Sequence, residues 1–308
     1  PRLREYFDRL LDRISGYDNS NGNWTDARRG LIIQHPSTSS IGTPFTSIGE
    51  VNMGDPATLT SFIQWGTSTY PADHYALVLW DHGGGTSGVC WDDTSNDNLT
   101  VAEVGQALAA ANVPLDLVGF DACLMAMLEQ AYQIRNYADV MVASEQTEPW
   151  DGWPYNTIAA DLTANPTQSA ATLAGSIVTR YGQSYNGAET MSAVDLTDMG
   201  NLAQSLDAFA GAVLAADTDW AAISAARTAA HYYTEPDFRD LGTFISGVAG
   251  SAADPGIRAA AQAVQAAYNS AVIANHSSVS NAATGLSIYL PAQGGSVPSS
   301  YAASNFGL

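Results

Sequence analysis

The sequence predicts an α/β fold in which helices cover both faces of a mostly parallel β-sheet. Apolar runs of strand length alternate with segments of helical periodicity, which is typical of βαβ units. The apolar runs are continuous rather than alternating, which indicates strands covered on both faces. A chain of 308 residues, of which 46% are hydrophobic, is long enough to bury a substantial core.

The predicted strands and helices follow one another along the chain. Four longer strands lie in the first half, and two shorter ones lie in the second. The first helix begins with Asp-Pro, a favourable helix start. The second begins at Thr100, three residues before Glu103, a spacing that predicts a capping box. The strands cover residues 30–35, 75–81, 117–121, 139–144, 190–196 and 285–290, and the helices cover 55–67, 100–111, 124–137, 167–185, 198–216, 219–231 and 256–276.

The charge balance excludes some classes of partner. Thirty-one acidic residues face eleven basic ones, all of them arginine, and the formal net charge is -20. Binding to nucleic acid or to an anionic membrane surface needs clustered cations, so neither is expected as a partner. The sequence also lacks a run of about 20 apolar residues, so no membrane span is predicted.

The stretch LVLWDHGGGTSG, residues 77–88, contains the pattern G-x-G-x-x-G of dinucleotide-binding proteins. A dinucleotide site needs a helix after the last glycine, because the helix N-terminus binds the pyrophosphate. Here the next residues are VCWDDTSNDN, which carry three acids and no helical period. An NAD-dependent oxidoreductase is therefore disfavoured. The segment 83–98 is instead predicted to be a loop, long enough to favour a functional role.

His82 and Cys123 each follow an apolar strand, and the helix 100–111 connects the two strands. Because functional groups of open α/β sheets gather beyond the carboxyl ends of the strands, the two side chains should lie side by side. That pairing predicts nucleophilic catalysis by a thiolate with an imidazole as acid or base. The other cysteine, Cys90, could form a disulfide with Cys123 or join it in a metal site, but the paired spacing of zinc motifs is absent.

Two local features support a reactive thiol at this position. Cys123 directly precedes the predicted helix 124–137, and a helix N-terminus lowers the pKa of a thiol. Gly83 follows His82 and lets the backbone approach a substrate carbonyl. The N–H groups of Gly83 and Cys123 could then form an oxyanion hole.

The stretch YPADHYALVLWDHGGG, followed 41 residues after its last histidine by the cysteine of DLVGFDACLMAMLE, resembles the clostripain family of cysteine peptidases. That family belongs to the caspase-like group with gingipain and legumain. The resemblance runs from about residue 23 to 154 and includes SEQTEPWDGWPY. It implies a caspase-like three-layer α/β/α sandwich, with Cys123 as nucleophile, His82 as general acid and base, and Gly83 and Cys123 as oxyanion donors.

The resemblance also implies cleavage after arginine, and after lysine as a second choice. The matching pocket acids are Asp121 and Asp151, and Glu148 or Glu145 could take the place of Asp151. A bidentate carboxylate contact suits the guanidinium of arginine. Asp121 could alternatively, or also, cap the helix that follows Cys123.

Further expectations concern organisation, location and cofactors. Residues 1–166 would form the catalytic core, and the Ala-rich portion 167–308 would complete the same domain or pack on it. The resemblance implies a secreted or cell-surface bacterial protein that acts as a monomer on proteins or peptides with basic residues. The chemistry requires no cofactor. Calcium, which occurs in the family, could bind the oxygen-rich WDDTSNDN segment through Asp92, Asp93, Asn96 and Asp97.

Two departures from the family pattern leave alternatives open. No Arg or Lys lies between Gly83 and Cys123, so a peptidase specific for basic residues could not process itself there. The first βα unit of the family is also missing or altered in residues 1–18. The alternatives are a catalytically silent binding module and a peptidase with another preference, such as asparagine, before the cleaved bond.

Overall fold

The fold is described from a computed structural model of the chain. The structure describes residues 26–32, 45–185, 189–277 and 282–292, together with residues 295, 297 and 301 and the backbone of residues 6–7. The strands are β1 Tyr6–Phe7, β2 Ala27–Arg29, β3 Thr46–Gly49, β4 Ala76–Trp80, β5 Val89–Asp92, β6 Asp97–Leu99, β7 Leu115–Asp121, β8 Ala138–Ala143, β9 Thr190–Asp195, β10 Phe238–Asp240, β11 Val272–Ser277 and β12 Ser287–Tyr289.

A six-stranded sheet in the order β1-β4-β7-β8-β9-β11 forms the centre of the fold. The first four strands of this order are parallel to one another, whereas β9 is antiparallel to both β8 and β11. The prediction of a mostly parallel sheet is therefore confirmed. Strands β9 and β11, from the Ala-rich portion, belong to the same sheet as the strands that precede His82 and Cys123.

Helices cover the sheet on both faces, because alternate strand residues point to opposite sides. Leu79 and Val118 belong to one apolar cluster, which also holds residues of α1, α2, α3, α6, α8 and α9. Val78 and Leu117 belong to the other, which holds residues of α4 and α5. The helices are α1 Pro56–Thr69, α2 Val101–Ala111, α3 Leu128–Ile134, α4 Tyr155–Ala164, α5 Ala170–Ser184, α6 Met199–Ala216, α7 Trp220–Ala229, α8 Leu241–Ser251 and α9 Pro255–Ala271.

Helix caps and apolar runs in the sequence correctly predicted several helices and strands. The Asp55 side chain accepts a hydrogen bond from the N–H of Ala57 at 2.8 Å and caps α1. The capping box of Thr100 and Glu103 is present at the start of α2. Four predicted strands correspond to β4, β7, β8 and β9, which confirms the reading of continuous apolar runs as buried strands.

Other predicted elements match the structure only in part. The strand predicted at 30–35 is not formed at residues 30–32, and residues 33–35 lie outside the described part. A short strand, β2, ends before it at Arg29 and pairs with β3 outside the central sheet. The strand predicted at 285–290 is β12, which pairs with β10. The helix predicted to end at residue 276 stops at Ala271, and the chain continues as the edge strand β11. Hydrophobicity does not specify which neighbour a strand pairs with. Helices α4 and α8 were not predicted.

Within the described part of the chain, no helix has both the length and the apolar character needed to cross a membrane.

Candidate active site

The register of two central strands brings the predicted histidine and cysteine together. Strands β4 and β7 are parallel neighbours, and Trp80 lies opposite Asp121 in their register. His82 and Cys123 each follow two residues after this pair. Both residues therefore leave the sheet at the same carboxyl edge, where parallel α/β sheets place their functional groups.

The backbone after His82 is fixed by a short hairpin rather than by an irregular loop. Strands β5 and β6 pair within the predicted loop 83–98, and the N–H of Cys90 donates to the carbonyl of His82 at 3.1 Å. Gly83 forms a β-bridge with Val89. The His82 side chain stays exposed, so it can reach a substrate bound at the sheet edge.

Gly83 lies directly against the backbone of Cys123. A Cβ added at Gly83 would lie 2.2 Å from the carbonyl oxygen of Cys123 and 3.1 Å from the side chain of Ala122. Only glycine permits such an approach, because any other residue would place an atom in contact with a rigid backbone group. The two backbones predicted to supply oxyanion donors are thus neighbours.

The segment after Cys123 corrects one expectation. Helix α3 begins at Leu128, not at Leu124, so a helix N-terminus does not lie at the thiol. Leu124 adopts a positive φ of 65°, a conformation uncommon for a branched residue outside a tight turn. The N–H of Leu124 donates to the carbonyl of Gln146 at 3.0 Å, and that of Ala126 donates to Ser144 at 2.9 Å. Because the chain after β8 satisfies these N–H groups, the helix starts later.

The thiol of Cys123 is half-buried and is not part of a disulfide. Its sulfur accepts a hydrogen bond from the N–H of Glu148 at 3.3 Å. Cys90 is also free, and it is buried. A buried Cys123, or a disulfide between Cys123 and Cys90, would favour the alternative of a catalytically silent binding module. The structure has neither feature.

Asp121 is the predicted pocket acid closest to the nucleophile in the sequence, and it is 3% exposed. Its Oδ2 accepts hydrogen bonds from the N–H of Trp153 at 3.2 Å and from the hydroxyl of Tyr155 at 2.6 Å. Burial raises the pKa of Asp121, and these hydrogen bonds act against the rise. Asp121 does not cap a helix, since α3 begins seven residues later.

Glu148 is linked both to the thiol, through its own N–H, and to Asp121, through the shared donor residue Trp153. Its Oε2 accepts a hydrogen bond from Nε1 of Trp153 at 3.1 Å. Its Oε1 is buried and has no hydrogen-bond partner. Burial raises the pKa of Glu148 well above its ordinary value, and the neighbouring Asp121 raises it further.

The other two predicted acids occupy different positions. Asp151 is exposed on the same loop as Glu148. Glu145 is buried away from this cluster: its carboxyl accepts from the N–H of Gly285 at 2.7 Å and from the hydroxyl of Ser287 at 2.8 Å, and it lies next to Asp240. Glu145 therefore ties strand β8 to the segment 285–287, and the expectation that it could replace Asp151 was wrong.

Three polar residues near the acids were not predicted. Tyr181 on α5 is fully buried, its hydroxyl has no partner, and its ring centroid lies 4.8 Å from that of Tyr185. The Tyr185 hydroxyl donates to the carbonyl of Gly152. Glu189, just before β9, also has a buried carboxyl oxygen without a partner. Their sequence neighbourhood carries no catalytic motif, so no sequence signal indicated their position.

The acidic segment considered for calcium is used in internal hydrogen bonds. The Asp92 carboxylate accepts from the N–H groups of Met53 at 2.8 Å and Ser95 at 2.9 Å. Asp97 accepts from the side chain of Asn52 at 2.7 Å. Among the described residues, no group of three or more His, Cys, Asp or Glu side chains could hold a metal ion.

Comparison with known proteins agrees with this geometry. Clostripain from Hathewaya histolytica is 38% identical over 133 residues, a match that covers 37% of this chain and only a quarter (25%) of the relative's length. A secreted C11 cysteine protease from Bacteroides thetaiotaomicron, solved with an irreversible peptide inhibitor, has a TM-score of 0.67 at 21% identity, covering 91% of this chain and 83% of that one. An inactive zymogen C11 protease from Parabacteroides distasonis has a TM-score of 0.62 at 23% identity, covering 82% and 74%.

The two structural likenesses confirm the predicted caspase-like sandwich. The sequence profile of the clostripain family (Peptidase_C11) matches residues 36–304, which is most of the chain. The chain therefore belongs to the clostripain family of cysteine peptidases.

Proposed function

We propose that the chain is a cysteine endopeptidase that hydrolyses peptide bonds after arginine, and less efficiently after lysine. The observation that carries the proposal is the position of a free thiol at the edge of the sheet, where the backbone N–H of Glu148 donates to its sulfur. Membership of the clostripain family and the name of the Hathewaya histolytica relative support the reaction class.

The reaction assigns a role to each group at the sheet edge. Cys123 attacks the carbonyl of the cleaved bond as a thiolate and forms a thioester, while His82 protonates the leaving amine. His82 then activates the water that hydrolyses the thioester. The N–H groups of Gly83 and Cys123 stabilise the developing oxyanion, and each such donor contributes about 3–4 kcal/mol in well-studied hydrolases.

The preference for a basic residue before the cleaved bond rests on the acids beside the thiol. Asp121 lies two residues before the nucleophile, and the N–H of Glu148 contacts the thiol. Trp153 and Tyr155 hold the two carboxyl groups in place. Asp151 adds an exposed carboxylate at the rim. A cation that enters this region gains charge-assisted hydrogen bonds, which are about twice as strong as neutral ones.

A panel of fluorogenic peptides that differ only in the residue before the cleaved bond tests this function. Arginine, lysine, citrulline and asparagine peptides are compared for the unmodified chain and for Cys123→Ala. We expect arginine first, lysine second, and loss of cleavage in the variant. Cleavage that persists in Cys123→Ala would refute the nucleophile, and a preference for asparagine or citrulline would refute the pocket assignment.

The location of the protein follows from the same family argument. We propose that it is secreted, as the solved relative from Bacteroides thetaiotaomicron is described to be. Activity recovered from the medium of a producing culture, in excess of a cytoplasmic marker, is the expected result.

A further inference from the structure

Asp121 and Glu148, together called the acid pair, have a feature that a fixed anionic pocket does not explain. We propose that the acid pair shares one proton in the unliganded protein, and that a basic substrate side chain displaces this proton when it binds. The inference rests on the proposed function, because it concerns the same pocket. It makes substrate binding a proton-releasing step.

The contacts of the two carboxyl groups assign the proton to Glu148. Two donors, the N–H of Trp153 and the hydroxyl of Tyr155, already point at Oδ2 of Asp121. Glu148 has a single donor at Oε2, and its buried Oε1 has none. Trp153 brings the two carboxyl groups to one place, since its N–H donates to Asp121 and its indole N–H donates to Glu148. A direct hydrogen bond between two carboxyl groups requires a proton on one of them, and Glu148 is the favoured holder because it has fewer donors to stabilise its charged form.

No arginine pairs with either member of the acid pair in the described part of the chain. Among the described residues, no ion pair involves either member of the acid pair; the ion pairs there belong to Asp26, Asp116, Asp161 and Asp237. The titratable groups that interact with the acid pair are phenols and a thiol, namely Tyr155, Tyr181, Tyr185 and Cys123. The acids Asp151 and Glu189 act on Tyr185 in the same region.

The repulsion between the two carboxylates of the acid pair also favours a shared proton. Two adjacent carboxylates in a buried site repel each other, and one of them therefore keeps its proton to a higher pH. Burial raises the pKa of both members, and that of Glu148 lies well above its ordinary value. The phenol of Tyr185 responds to the same field, since burial and the nearby acids raise its pKa to about 12.

A guanidinium changes this balance because it supplies the missing donors. It can donate to the orphan Oε1 of Glu148 and to Asp121 at once, and its charge removes the repulsion between two carboxylates. The proton of Glu148 then passes to the solvent. If one proton leaves for each cation bound, the affinity for a basic ligand rises about tenfold per pH unit until the free pair ionises by itself.

Calorimetry on the Cys123→Ala protein measures this directly, without turnover. The ligands are two N-acetylated peptides, one with arginine and one with uncharged citrulline at the residue before the cleavable bond. Each is titrated at about pH 6, above the usual range of glutamate, in two buffers of different ionisation enthalpy. The difference in binding enthalpy between the buffers gives the number of protons released.

We expect between about half a proton and one proton released for arginine, and none for citrulline. Adding Glu148→Gln should abolish the release, whereas the matched change Asp151→Asn in the exposed acid should preserve it. Tight binding of the arginine peptide without proton release would overturn the inference. This measurement uses the Cys123→Ala protein alone, so it does not depend on the folding of the Glu148 variant. Equal binding of citrulline and arginine would refute the basic preference itself, and the inference with it.

Discussion

Gly83 is the position where one added methyl group should disturb the candidate active site most directly. A Cβ there would lie 2.2 Å from the Cys123 carbonyl oxygen, whereas ordinary contact begins at 3.4 Å. The two backbones must therefore separate by about 1 Å, a displacement large enough to disturb catalytic geometry. Because the opposing atom belongs to the backbone, no side-chain rotation can relieve the contact.

The expected loss follows from that displacement. A misplacement of about 1 Å in an active site costs about 100-fold in rate, or about 2.7 kcal/mol of transition-state stabilisation. Gly83→Ala should therefore lower kcat/KM for an arginine peptide by about 100-fold. The loss should appear mainly in kcat, because oxyanion stabilisation acts on the transition state rather than on the bound substrate.

A second glycine of the chain provides the matched control. Gly211 lies in the middle of α6, and a Cβ added there meets nothing within 4 Å. Gly211→Ala should keep full activity and raise the free energy of unfolding by up to about 1 kcal/mol, since alanine favours a helix interior. Thermal unfolding of both variants separates a local effect from a loss of fold. A Gly83→Ala enzyme within about threefold of the unmodified kcat/KM would refute the close packing on which the reasoning depends.

Three further predictions follow from the same structure. Asp121→Asn should lower kcat/KM for arginine peptides by about 100-fold and Asp151→Asn by about tenfold, because a buried charge is screened less than an exposed one; a larger loss for Asp151→Asn in the same kinetic assay would contradict this order. Thr100→Ala should lower the free energy of unfolding by about 1 kcal/mol through loss of the capping box, with kcat/KM unchanged; urea unfolding that is not shifted would count against the cap. Burial raises the pKa of Glu129 to about 7. The contribution of the protonated carboxyl to the free energy of unfolding is therefore complete below the ordinary glutamate pKa and is lost as pH rises through 7. This loss amounts to about 3 kcal/mol. Urea unfolding of Glu129→Gln should therefore depend less on pH than that of the unmodified chain, and an equal dependence would exclude Glu129 as its source.

The sequence was sufficient for features that depend on neighbours along the chain. Continuous apolar runs located β4, β7 and β8, and the capping box located the start of α2. The arrival of His82 and Cys123 at the same edge of the sheet also followed, because parallel strands joined by a helix must end at the same edge. Composition and spacing are enough to predict such features, because they depend on hydrogen bonds between residues close in sequence and on the burial of a whole apolar run.

The tertiary structure decided what depends on remote segments. Glu148 and Asp151 lie three residues apart on one loop, yet only Glu148 contacts the thiol and Asp121. The helix after Cys123 begins at Leu128 because carbonyl groups beyond β8 accept the earlier N–H groups. Tyr181, far along the chain, faces the same acids. Which carboxyl group is buried, and which donor reaches it, depends on packing between segments distant in sequence, and no local pattern encodes it.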